Sequence, residues 1–139
     1  MKSKPSNQRG VSFLQLLVVL AIIGVLAGLA IPAYDNQIRK ARRADAKTAL
    51  SELANQQVEY LLNHSVYSTT FPPLGYGNTS TNGFYTLTLN AIGSTSFTID
   101  GTATGSQAND TDCANFRITN TGARTATNSG NLDNTSNCW

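Results

Sequence analysis

The chain is poor in the residues that chemistry usually requires. One histidine and two cysteines are scattered through 139 residues, which is not the spacing of a zinc site. No phosphate-cradling glycine loop, metal-ligand cluster or nucleophile elbow occurs. No catalytic residue, cofactor or metal is therefore expected, and an enzyme is the least favoured class. Charge is scarce as well: 13% of residues are charged, against about a quarter in an ordinary globular domain. The formal net charge is +2, and three of the ten basic residues, Lys2, Lys4 and Arg9, lie in the first ten positions. The remainder is close to neutral, so no field steers an anionic ligand and no nucleic acid partner is expected.

Charge is absent altogether from residues 11–31, VSFLQLLVVLAIIGVLAGLAI, where Ser12 and Gln15 are the markedly polar side chains. A helix of about 20 residues at ~1.5 Å each spans ~30 Å, the thickness of a bilayer's hydrocarbon core. The rest of the chain is too short and too polar to enclose such a helix. A cleaved secretory signal has a shorter apolar region, ~7–15 residues, that ends at a small-residue cut site. The run is therefore expected to remain in the mature protein as a membrane segment. Thr, Ser, Asn and Gly replace charge in the C-terminal half of the chain, which suits a β-rich, loop-rich exported domain. Two cysteines in an exported chain favour a disulfide, Cys113–Cys138.

Residues 1–10 are polar and basic and stop at Gly10, directly before the apolar run. A conventional signal has its apolar region before the cut; here it lies after. Gln8-Arg9-Gly10 followed by Val11-Ser12-Phe13-Leu14-Gln15-Leu16 resembles a type IV prepilin leader, and the resemblance runs on through most of the chain. It implies cleavage between Gly10 and Val11 by a prepilin peptidase, and N-methylation of Val11, where most type IV pilins have Phe. It puts Gln15 where most members carry a Glu that neutralises the amino terminus of a neighbouring subunit. An amide is cheaper to bury than an unpaired carboxylate, so Gln15 is expected to weaken that attraction. Gly24 and Pro32 match positions that pilins retain, and the helix between them is expected to loosen in a filament. Gly24 and Gly28 also form a GxxxG pair on which another helix can approach closely.

The pattern after Pro32 predicts an amphipathic helix over 33–63. Ala46, Ala49, Leu50, Leu53, Ala54, Tyr60 and Leu61 recur at helical spacing, with Glu52, Asn55, Gln56 and Glu59 on the other side. Gln57 falls inside the apolar stripe and needs a partner or an edge. Arg39, Lys40, Arg42, Arg43 and Lys47 read as a solvated face that meets lipid head groups or acidic residues of neighbouring subunits. The string Arg42-Arg43-Ala44-Asp45-Ala46-Lys47 is similar to the type IVa minor pilins of the PilE-like kind. Residues 64–83, rich in Pro, Gly and Asn, read as a loop pinned by Tyr67, Phe71 and Tyr76, with His64 at the helix end. Alternation predicts strands at 84–89, 96–100 and 114–119, with Leu87, Leu89, Phe97, Ile99, Phe116 and Ile118 facing the helix. Residues 122–139 read as a polar tail tied back by Cys138.

The expected fold is thus α+β. A leader (1–10) precedes a transmembrane or filament-core helix (11–32), an amphipathic helix (33–63) and a globular domain (64–139) with a three- or four-stranded antiparallel sheet. Asp110, Asp112 and Asp133 are candidates for a calcium loop, but isolated Asp residues on Asn-rich loops are ordinarily solvated, and no metal is expected. Four N-x-S/T matches follow from composition. The resemblance implies a structural, minor-type subunit of a type IV pilus that serves assembly, twitching motility or adhesion. Its partners would be other pilin subunits, the prepilin peptidase, the inner membrane and the pilus assembly platform. The subunit would wait in the inner membrane, leader inside and globular part in the periplasm, and finish in an extracellular fibre. The alternatives are a pseudopilin of a type II secretion system and a DNA-uptake or adhesin pilin. Against DNA stands the sheet region's content of two arginines, Arg117 and Arg124.

Overall fold

The computed structural model describes the backbone of residues 12–139 and their side chains except those of 29–33 and 92. The chain divides into two compact units, Met1–Gln37 and Ile38–Trp139.

One helix, α1, runs Phe13–His64. The Ser12 carbonyl accepts from the amides of Gln15 and Leu16, and Gln15 Oε1 accepts the Ser12 amide at 3.2 Å. A Gln three residues into a helix closes the start in this way, as one half of a capping box. Residues 16–28 of this helix are then apolar and exposed without exception.

The second unit packs a helix face on a sheet. From α1 it takes Ala46, Ala49, Leu50 and Leu53, all fully buried. Glu52, Asn55, Gln56 and Glu59 are exposed on the far side. The sheet is a meander of β1 (Tyr85–Ile92), β2 (Ser96–Ala103), β3 (Asn115–Thr119) and β4 (Arg124–Thr127), each antiparallel to the next. Its register aligns Leu87, Gly101, Phe116 and Ala126 in one cross-strand row and Leu89, Ile99 and Ile118 in the next. These residues, with Tyr85 and Phe97, make the core with the helix. A Cβ built on Gly101 would lie 3.6 Å from Leu87 and 3.8 Å from Leu50, so helix and sheet meet closely there.

Two stretches differ from the sequence reading. Residues 124–127, read as tail, form β4. Only Ala126 of its four residues is buried, so the alternation was too faint to mark a strand. The β1–β2 hairpin also extends through 90–92 and 101–103, where cross-strand pairing overrides poor strand propensity. Cys113 and Cys138 are disulfide-bonded, with Cα atoms 5.7 Å apart. A short helix, α2 (Thr135–Cys138), brings Trp139 edge-on to Phe116, and its indole N–H donates to the Thr125 carbonyl at 2.8 Å. The tail is therefore a packed part of the sheet rather than a tether.

Candidate functional site

The residues expected to serve assembly fall in the first unit. Gly10 and Val11, the expected cleavage and methylation positions, fall outside the described residues. Gln15 is exposed and turned onto the Ser12 amide. Eleven large apolar residues between Phe13 and Leu26 are exposed, from 49% at Leu17 to 77% at Phe13. Among the described residues, nothing lies within 4 Å of a Cβ built on Gly24 or Gly28, so none of them requires glycine at either position. The backbone from Gly24 to Pro32 is helical in this chain, and the Pro32 side chain lies outside the described ones. Among the described residues, no helix is long and apolar enough to cross a membrane. Their side chains follow the apolar run only to Gly28.

The second unit holds the motif Arg42–Lys47, of which Arg43, Asp45 and Ala46 are buried, Arg42 and Lys47 half-buried and Ala44 exposed. Arg43 donates from Nε and Nη2 to the two Asp110 carboxylate oxygens at 2.7 and 2.8 Å, with both side chains under 10% exposed. This hydrogen bond, aided by the Asp110 charge, raises the Arg43 pKa against the opposing effect of burial. Arg42 lies over the Phe84 ring at 4.5 Å and donates to Ser106 Oγ at 2.9 Å. Asp45 is buried, accepts from the Ser80 hydroxyl, and accepts from the backbone and side-chain amides of Asn82 at 3.1 and 2.9 Å. Ser80 Oγ in turn accepts the Tyr85 amide at 3.0 Å. The expected solvated charge face is thus corrected at Arg42 and Arg43, which with Asp45 clamp the loops flanking the sheet, while Lys40 is exposed as expected. The clamp is completed by Gln107, whose Nε2 lies within 3.0–3.1 Å of the Arg39 carbonyl, the Tyr85 hydroxyl and Asp110. Burial pushes the Tyr85 phenol up to about 12, with the Gln107 hydrogen bond acting the other way.

Gln107 and Asp110 were not legible as clamp residues. They sit 68 and 67 positions from Arg39 and Arg43, in a polar segment with no periodicity. Asp110 is committed to Arg43, and Asp133 accepts from the Thr135 hydroxyl at 2.6 Å. Among the described residues, no three metal-ligating side chains converge. His64 stacks on Tyr60 at the helix end, at 4.0 Å between rings.

On the outer sheet face Arg117 forms a two-pronged pair with Asp100, which raises the arginine's pKa through the hydrogen bond first and charge second. Arg124 lies 5.3 Å from the Trp139 ring centre. This helix-on-meander layout, with its disulfide-closed end, recurs in known proteins. Residues 32–117 match the family model described as type IV minor pilin ComP, DNA uptake sequence receptor. The chain belongs to that family of type IV minor pilins. Among curated relatives, this pilin is 28% identical over 96 residues to the type IV major pilin protein PilE of Neisseria gonorrhoeae, covering 60% of the chain and 58% of PilE. It is 38% identical over 69 residues to the type II secretion system core protein G of Dickeya chrysanthemi, covering 50% and 45% respectively. The pilin thus spans about half the length of the curated relatives it matches. The minor pilin PilV of Neisseria meningitidis shares the fold, with a TM-score of 0.55 at 16% identity over 69% of this chain and 93% of that one.

Proposed function

We propose that this pilin is a structural subunit of a type IV pilus, assembled with other pilin subunits through its apolar N-terminal helix. The observation that carries the reading is the set of eleven exposed large apolar residues between Phe13 and Leu26. Burying each is worth ~1.5–3 kcal/mol, so the segment is stable only in lipid or against other helices. The family match and the pilin fold support the same role. In this scheme residues 1–10 form a leader cut by a prepilin peptidase before Val11, whose amino group is then methylated. Residues 11–32 hold the subunit in the inner membrane until the assembly platform extracts it, 33–63 form the amphipathic helix that carries the globular domain, and 64–139 face the exterior of the fibre. Loosening between Gly24 and Pro32 accompanies extraction, and Gln15 lowers the subunit's pull into the fibre relative to a Glu. The test compares sheared fibres from cells making the full chain with those from cells making a variant without residues 1–38. The full chain enters the fibres, starting at Val11 by intact mass. Incorporation of the shortened variant at an equal level would overturn the helix-core mechanism.

A second reading, capture of DNA at the cell surface, is favoured by one observation, the match of residues 32–117 to a family described as a DNA uptake sequence receptor. Its arginine supply is limited: Arg43 and Arg117 are ion-paired, and Arg42 is engaged by Phe84 and Ser106. Duplex binding by the full chain would then have a shallow salt dependence, near one logarithmic unit per phosphate contacted. Loss of DNA uptake on gene deletion, with fibres still present, would support it.

A further inference from the structure

The outer face of the sheet carries a trough of about 470 Å3, inside the ~300–1,000 Å3 range of small-ligand sites. Thr88, Asp100, Arg117 and Thr125 are successive neighbours across the four strands and form one row of its floor. Thr102, two residues along β2, belongs to the next row, and Asn131 lines the trough from the loop after β4. That loop is held in place by Asn128 Oδ1, which accepts the amides of Gly130 and Leu132 at 2.9 Å each.

The chemistry of the lining selects a ligand class. Asp100 and Arg117 are the charged residues of the lining, and they neutralise each other, so a phosphate or sulfate meets no uncompensated cation. Thr88, Thr102 and Thr125 are exposed, and no hydrogen bond joins their hydroxyls to other described residues. An apolar ligand would strip water from these groups without replacing its hydrogen bonds. A ligand rich in hydroxyls replaces that water bond for bond. Arg117 uses Nε and Nη2 on Asp100, which leaves Nη1 with two N–H donors for a ligand acceptor.

We propose that this trough binds the end of an uncharged oligosaccharide, held by the Thr88, Thr102 and Thr125 hydroxyls, the Asn131 amide and Arg117 Nη1. The role is separate from filament assembly, since every residue it uses lies in the second unit and none in the apolar helix. The paired arginine favours a neutral glycan over a nucleic acid on this face.

The test presents the full chain, in a detergent without a sugar head group, to a printed array of neutral and sialylated oligosaccharides and to duplex DNA. The double variant Thr102→Val, Thr125→Val removes two hydroxyls at nearly constant volume and strand preference. Asn131→Gly is a second probe: with φ of 61°, glycine is at home there and the fold is spared. The expected result is retention of neutral oligosaccharides by the parent chain, weakened about tenfold in the double variant by loss of two hydrogen bonds, and weakened also in Asn131→Gly. The proposal is overturned by failure to retain any neutral oligosaccharide. It is equally overturned by retention that both variants leave unchanged, or by DNA binding that Arg117→Ala abolishes while the glycans bind nothing.

Discussion

The carboxamide of Gln57 closes a ring of two hydrogen bonds with the backbone of Ser68: Nε2 donates to the Ser68 carbonyl at 2.8 Å, and Oε1 accepts the Ser68 amide at 2.9 Å. Gln57 is fully buried, in the middle of an otherwise apolar stripe. Its two-sided amide acts as a short piece of sheet and fixes where the loop after α1 leaves the helix. Tyr67 is thereby set edge-on to Phe97 at 4.9 Å.

Gln57→Leu should therefore destabilise the second unit although it adds apolar volume. It leaves the buried Ser68 amide and carbonyl without partners, at ~1–3 kcal/mol each. A total loss of about 2–4 kcal/mol is expected in urea unfolding followed by the fluorescence of Trp139, the one tryptophan. An unchanged midpoint would mean that water replaces the amide freely.

Arg43→Met should be among the most damaging single changes. It strands Asp110 in a site where that residue is 4% exposed, and breaking one side of a buried pair costs about 3–5 kcal/mol. The double variant Arg43→Met, Asp110→Leu should be less damaging than the sum of the two singles. Strict additivity in a double-mutant cycle would contradict the coupling.

Alkaline pH should loosen the fold through Tyr85. Burial holds its phenol near 12 against an ordinary value of 10.0, so between those limits the unfolded state loses a proton that the native state keeps. Stability is complete below pH 10 and falls as pH rises through that window, by on the order of 1–3 kcal/mol. Tyr85→Phe, which cannot ionise, should flatten this part of the profile in unfolding measured from pH 9 to 12.

Reduction of Cys113–Cys138 should release α2 and Trp139. The bridge closes a sequence separation of 25, and a loop of that size is worth ~3 kcal/mol by the chain-entropy estimate. Thiol treatment should lower the unfolding midpoint and shift the Trp139 emission to the red as its ring leaves Phe116. No shift would mean that the Thr125 hydrogen bond and ring packing hold the tail without the bridge.

Gly101→Ala should be neutral or stabilising, by up to about 1 kcal/mol. The added methyl makes ordinary contacts with Leu87 and Leu50, and the unfolded chain loses freedom. Gly101→Leu should cost about 1–3 kcal/mol, because a larger group must displace Leu50 from the helix–sheet contact. Thermal melts of the pair would separate the outcomes.

Local pattern made some elements readable. The helix stripe through Ala46, Ala49, Leu50 and Leu53, and the strands around Leu87, Ile99 and Phe116, repeat at the periods of the structures they form. Strand β4 was hidden because a single small residue, Ala126, carries its inward face. The clamp was hidden for a different reason. Arg43 and Asp110, or Asp45 and Ser80, meet across 67 and 35 positions, and no local rule couples residues so far apart.

By itself the sequence determined an apolar segment with no internal partner, an amphipathic helix behind it and a β-rich end with two cysteines. These follow from periodicity and composition, which act over a few neighbouring residues. The tertiary structure decided which charges are buried, since desolvation depends on what packs above a side chain and not on its neighbours in sequence. It turned Arg42 and Arg43 from an outward face into an inward clamp, and it set a neutral, hydroxyl-lined trough on the sheet by placing Asp100 beside Arg117.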